Sequence, residues 1–199
     1  MIFIQVARKK ALQLRAGLRH CLREDISGNA AVEFALIAPV FILILAGSLD
    51  LGMLIFSRFQ LEATVSDSAS YAMVNADLVD GKDGSDLATK IATMIASEYA
   101  AGDTQASVNV NNGAVANYNG AKIVISGNVS QADACYCPSG SASSLDWGSQ
   151  QSCGSSCPDG GRAGRFVSVM VKQAYTPLFS GYGLVKGDFI DASAIVRTQ

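Results

Sequence analysis

The sequence predicts an α+β protein tethered to a membrane. A long N-terminal transmembrane helix continues into an extracytoplasmic helix, followed by a second helix and a small antiparallel sheet with a disulfide-stapled loop. Three observations predict it. Residues 34–56 form a 23-residue apolar run whose only charge is Asp50, and a helix needs about 20 residues to cross a hydrocarbon core. Beyond residue 106, short alternating segments rich in β-branched residues replace the helical pattern. Four cysteines, Cys135, Cys137, Cys153 and Cys157, crowd into one Ser- and Gly-rich stretch between such segments.

Charge orients the apolar run. The chain of 199 residues has a formal net charge of -2, which gives no whole-chain argument for nucleic acid. Six Lys or Arg (Arg8, Lys9, Lys10, Arg15, Arg19, Arg23) precede the run, while the part after residue 28 is acidic. The positive-inside rule then places residues 1 to about 30 in the cytoplasm and everything after about residue 57 outside. A buried core helix is seldom this long and this uniformly apolar. A secretory signal peptide cut after Ser48 is opposed by the extended basic region and by the apolar residues that resume after the cut.

At the junction stands Gly28-Asn29-Ala30-Ala31-Val32-Glu33-Phe34. A carboxylate at the edge of the hydrocarbon is costly unless hydrated or paired. Read without further context, Glu33 supports the helix start, lying in the first turn where the macrodipole favours negative charge. The stretch also resembles the processing site of type IV prepilins, in which a peptidase cuts after glycine and leaves glutamate fifth in the mature chain. More narrowly, GNAAVEFALIAPVFILILAGSLDLG resembles the N-terminal segment of TadE/TadG-like proteins, pseudopilins of tight-adherence (Flp) pili, over about residues 24–75. The resemblance implies cleavage between Gly28 and Asn29 and a pilin-like fold. It also implies a minor-pilin role in pilus assembly at the bacterial inner membrane, with the C-terminal part periplasmic. The implied partners are the prepilin peptidase, other pilins and pseudopilins, the inner-membrane assembly platform and the lipid bilayer. Cleavage would free an α-ammonium that the Glu33 carboxylate of a neighbouring helix neutralises, so Glu33, Phe34 and the apolar segment would carry assembly.

Two residues interrupt the apolar run. Pro39 removes the hydrogen bond to the Ala35 carbonyl, which usually kinks a helix. Asp50 lies well inside the lipid part, where a carboxylate is expensive. It is read as a buried contact to a partner subunit, or else as reaching the outer interface through a tilt at Pro39.

Outside the membrane, Leu61, Val65, Ala69, Ala72 and Met73 recur at helical spacing, extending the helix to about Asn75. The Gly- and Asp-rich stretch at 77–86 breaks it. Ser85 can cap a second helix with Leu87, Ile91, Met94, Ile95 and Tyr99 on one face, and Gly102 suits its end. Four strands are expected, in ASVNVNN, AKIVISGNV, RFVSVMVKQAYTP and DFIDASAIVRT. The chain thus divides into a leader, 1–28, a transmembrane helix, 29–56, a helical region, 57–105, and a β-rich head, 106–199, with its cysteine loop at 135–157.

Outside the cytoplasm four cysteines read as two disulfides. A Cys135–Cys137 bond would be badly strained, so each of the first two is expected to pair with one of the last two, in either of two arrangements. Four-cysteine zinc ligation is the rival, though CxC with CxxxC departs from the usual CxxC pairs.

No catalytic residues, metal ligands or cofactor are assigned. The single histidine, His20, falls in the leader with Cys21, which leaves the exported part without a histidine-dependent nucleophile or metal centre. Asp77, Asp80, Asp83 and Asp86 read as a solvated loop, with a calcium site as the sharper alternative. No phosphate-cradling motif occurs, Gly181 to Gly183 reads as a turn, and Arg162 and Arg165 make no nucleic-acid patch. The chain is not expected to be an enzyme. The alternative to a pilus component is an uncleaved single-span protein whose extracytoplasmic domain binds a ligand, an envelope component or zinc.

Overall fold

The computed structural model describes residues 27–99, 102–178 and 188–199. Most of the leader, with His20 and Cys21, and the Gly181 to Gly183 turn lie outside the described residues. The chain forms two compact units, Met1–Leu49 and Asp50–Gln199.

In the first unit the described residues are helical, forming the first part of α1, Ser27–Val74. The apolar side chains there are turned outward rather than into a core: Phe34 and Leu36 are each 73% exposed. Helix α1 runs unbroken through Pro39. Ser48 Oγ donates to the Ile44 carbonyl at 2.8 Å, so its hydroxyl is satisfied within the helix. Because α1 is already helical at Ser27, Glu33 is at least its seventh residue, past the first turn in which it was expected and where the helix dipole acts most strongly.

The second unit is a helix pair on one face of a five-stranded antiparallel sheet. The remainder of α1 contributes Leu61, Val65, Ala69 and Ala72 to the core, and Met73, expected on that face, is exposed. Helix α2, Gly84–Glu98, buries Leu87, Ile91 and Ile95, with Ala88 and Ala92 between them. Met94 is exposed at the edge of this stripe. Asp83, not Ser85, is the residue before the first helical turn, and Gly102 adopts a left-handed φ three residues beyond Tyr99. Thr64 Oγ1 and Tyr99 Oη lie 3.0 Å apart and link the helices.

The strands are β1 Thr104–Val110, β2 Ala114–Tyr118, β3 Ile123–Gly127, β6 Phe166–Ala174 and β7 Phe189–Arg197, in the spatial order β3-β2-β1-β6-β7. Between β3 and β6 a separate small hairpin pairs β4, Ser139–Ser141, with β5, Ser144–Asp146. The sheet therefore has one strand more than the four expected. AVANY in β2 is poor in residues that favour strands; the turn before it sets the pairing. Asn111 and Asn112 both take positive φ, and the Gly113 N–H donates to the Val110 carbonyl at 2.9 Å, closing a tight hairpin. Register aligns Val108 with Ala116 and Val169, and Val110 with Ala114 and Val167, so one side of the sheet presents a continuous apolar face. Each such fully buried valine is worth about 1.5–3 kcal/mol over its exposed state.

Candidate functional site

Three places carry the sequence-assigned residues. The first is the start of α1. Gly28 and Asn29 fall within its first turn, and Asn29, Glu33, Phe34 and Pro39 are all exposed. From Val32 to Phe59 most outward-facing residues of α1 are large and apolar, including Ile37, Phe41, Leu45, Ile55 and Phe56. Asn29–Val74 is long and apolar enough to cross a membrane, and the apolar window in it is wholly exposed. One such N-terminal helix fits a single-pass membrane protein.

The second place is Asp50, in the Asp50–Gln199 unit. It is only 3% exposed. Its Oδ1 accepts the Leu178 backbone N–H at 3.0 Å. The Tyr175 hydroxyl donates to the Asp50 carbonyl oxygen at 3.2 Å and lies 3.5 Å from Oδ1. Asp50, expected to face a partner subunit, therefore bonds within its own chain, to the segment that follows β6. Burial, and after it the Asp50 carboxylate, raise the Tyr175 pKa above its ordinary value, since a phenolate there would lose hydration and face a like charge.

The third place is the cysteine loop at the opposite end of β6. Cys135 is bonded to Cys153 and Cys137 to Cys157, at separations of 18 and 20 residues. The cysteines are thus held as disulfides and offer no thiolates for zinc. The loop is set on the sheet by two residues to which the sequence assigned no such role, Asn111 and Arg165. Asn111, fully buried, donates from Nδ2 to the Ala132 and Ala134 carbonyls at 2.6 and 2.7 Å and accepts the Phe166 N–H at 3.2 Å. The Arg165 guanidinium donates to the Val79 carbonyl at 2.8 Å and to the Asp133 carbonyl at 3.1 Å. Gly113 packs so closely here that a Cβ would meet the Ala132 methyl at 2.5 Å. Inside the loop Tyr136 meets Trp147 edge to face at 5.7 Å, and Tyr136 exchanges backbone hydrogen bonds with Gly164.

The acidic turn is a hydrogen-bonded loop. Asp80 Oδ1 accepts the N–H groups of Lys82 and Asp83, and Asp133 Oδ1 accepts that of Gly81. Among the described residues no group of three or more His, Cys, Asp or Glu converges as a metal site.

Most of α1 finds its counterpart in a known family. Residues 28–70 match the TadE-like protein family. The match begins at Gly28, spans the apolar helix and Asp50, and ends inside the packed part of α1. The likeness of this segment is to proteins associated with tight-adherence pili. No curated protein and no solved structure matches the chain. The TadE-like match thus bears on α1, while the disulfide-stapled head is described by its own geometry.

Proposed function

We propose that the chain is a minor pilin or pseudopilin of a tight-adherence pilus, made as a precursor and cut between Gly28 and Asn29. The observation that carries the reading is the TadE-like match over 28–70, on a helix whose outer surface is apolar and uncovered. In lipid that surface is at home; in a filament it packs against the same surface of neighbouring subunits, without any change in the head. Cleavage would convert the Gly28–Asn29 amide into an α-ammonium one turn from Glu33. It would also make Asn29 the start of the helix, two residues closer to Glu33 than Ser27 is. The carboxylate then lies nearer the positive end of its own helix dipole and gains a partner that the uncut chain lacks, the ammonium of a neighbour.

In this reading residues 1–28 are a cytoplasmic leader, 29–56 the assembly helix, and the remainder a periplasmic head, placed in the inner membrane and carried into or to the tip of the pilus. Prepilin peptidase, other pilins, the assembly platform and the bilayer are its partners, and its role is structural rather than catalytic. N-terminal sequencing of the protein purified from membranes tests the proposal. Asn29 at the terminus is the expected result. Recovery of Met1 would favour the alternative, an uncleaved single-span protein with an extracytoplasmic binding domain.

A further inference from the structure

The Asp50 contact has a consequence for where the head meets the membrane. About 20 helical residues cross the hydrocarbon core. Counted from Phe34 that length ends at residue 53, and counted from Val32 it ends at residue 51; either way Asp50 falls inside it. Exposed apolar side chains stand on both sides of Asp50 along α1, Leu49 before it and Leu51, Met53, Ile55, Phe56 and Phe59 after it. A carboxylate at that depth needs donors. The structure supplies them from the head, through the Leu178 N–H and the neighbouring Tyr175 hydroxyl. A 3.0 Å bond leaves no freedom in height: the Leu178 backbone stands level with Asp50. Its side chain, meanwhile, is 68% exposed.

We infer that the segment from Tyr175 to Leu178 is a membrane-contacting element of the head. It sits in the outer leaflet at the boundary between acyl chains and headgroups, with Leu178 in lipid and its backbone N–H turned to Asp50. The occupant of this surface is the bilayer, because exposed apolar side chains of α1 continue past the level of Leu178, through Leu51, Met53, Ile55 and Phe56. The arrangement is that of an interfacial segment, with apolar side chains immersed and polar groups satisfied by protein. The inference rests on the membrane-spanning reading of α1.

The head carries its own reference for a test. Trp147, the only tryptophan, lies in the cysteine loop at the other end of β6, beside Tyr136. The full chain, unsubstituted or carrying Leu178→Trp or Phe41→Trp, is reconstituted in vesicles whose lipids bear bromine high on the acyl chains, to report Leu178→Trp, or near the chain ends, to report Phe41→Trp. The unsubstituted chain should keep its emission. The emission added by Leu178→Trp should be blue-shifted and fall roughly twofold relative to unbrominated vesicles, as for other side chains at the interface. Quenching of Phe41→Trp but not of Leu178→Trp overturns the inference while leaving α1 in the membrane. Loss of quenching at both positions overturns the membrane reading and the inference with it. Quenching of Leu178→Trp that fades as protein-to-lipid ratio rises assigns the surface to a second protein chain and also overturns it.

Discussion

The Leu178 N–H and the Asp50 carboxylate are joined by a 3.0 Å hydrogen bond across 128 positions of sequence. Through that bond the end of β6 is tied to α1 at the first residue of the head unit. Hydrogen bonds to a buried charge contribute about 1.5–3 kcal/mol each, and removing the acceptor leaves buried donors unsatisfied. Asp50→Ala is therefore expected to destabilise the head by about 2–4 kcal/mol. Asp50→Asn, which keeps an acceptor oxygen, is expected to cost less. Denaturant titration of the detergent-solubilised chain, followed by Trp147 fluorescence, measures both; equal stability of all three proteins would show that the tie contributes nothing.

Tyr175 gives this tie a pH dependence. Its raised pKa means that the folded head binds the phenolic proton more tightly than the unfolded chain does. The contribution is fully present below the unfolded value of about 10 and is lost as pH rises through the higher folded value. Stability should fall with alkali above about pH 10 more steeply in the native chain than in Tyr175→Phe. Parallel denaturant titrations of the two proteins across that range check the sign.

How much of this was legible in the sequence depended on the range of the interaction. The spacing of Leu61, Val65, Ala69 and Ala72 marked a buried face because neighbours on a helix face are close in sequence. Met73 and Met94 fit the same spacing yet lie outside the core, since periodicity marks a stripe but not its edges. Asp50 was legible as an anomaly, a carboxylate in an apolar run. Its partners were not, because Tyr175 and Leu178 lie in a short segment whose composition says nothing about α1. The hub role of Asn111 was hidden for a related reason. The expected strand ASVNVNN took in Asn111 and Asn112, which instead turn the chain at positive φ, and bonds from the Asn111 side chain to Ala132, Ala134 and Phe166 exist only once β1 and β6 have paired. Even the cysteine pairing needed three dimensions, since both cross-arrangements close loops of similar length.

Asn111 yields a third prediction. Asn111→Ala removes a donor to two carbonyls and an acceptor for one N–H in a buried site, and places alanine at positive φ. A loss of about 3 kcal/mol or more is expected. Asn111→Gly relieves the backbone strain alone and should recover only about 1 kcal/mol of it. Denaturant midpoints of the three proteins separate the two contributions.

The two disulfides close loops long enough to contribute about 3 kcal/mol each by limiting the unfolded chain. Reduction, or Cys137→Ser, is expected to expose residues 138–152 to limited proteolysis while β1, β2 and β6 remain protected, because the main core lies elsewhere. Mass analysis of the fragments locates the cuts. Cleavage spread evenly through the head would show that the loop and sheet unfold together.

Glu33→Ala separates processing from assembly. If the carboxylate serves to pair with a neighbour's new terminus, the variant should still be cut after Gly28, yet pili should be lost. Terminal sequencing and electron microscopy of the same cells read the two steps, and normal piliation would rule out the pairing.

The direction of β7 has its own consequence. This edge strand begins beside β6 where Tyr175 reaches Asp50, and ends where Gln199 meets the Ala76 carbonyl just past the end of α1. It therefore runs the same way as the packed part of α1. Two copies joining their β7 edges head to tail would need their α1 strokes pointing in opposite directions, which chains rooted in one bilayer cannot do. In a single-pass membrane protein, then, anchorage would keep this nine-residue strand, an edge among the described residues, from zipping two heads into an extended antiparallel sheet.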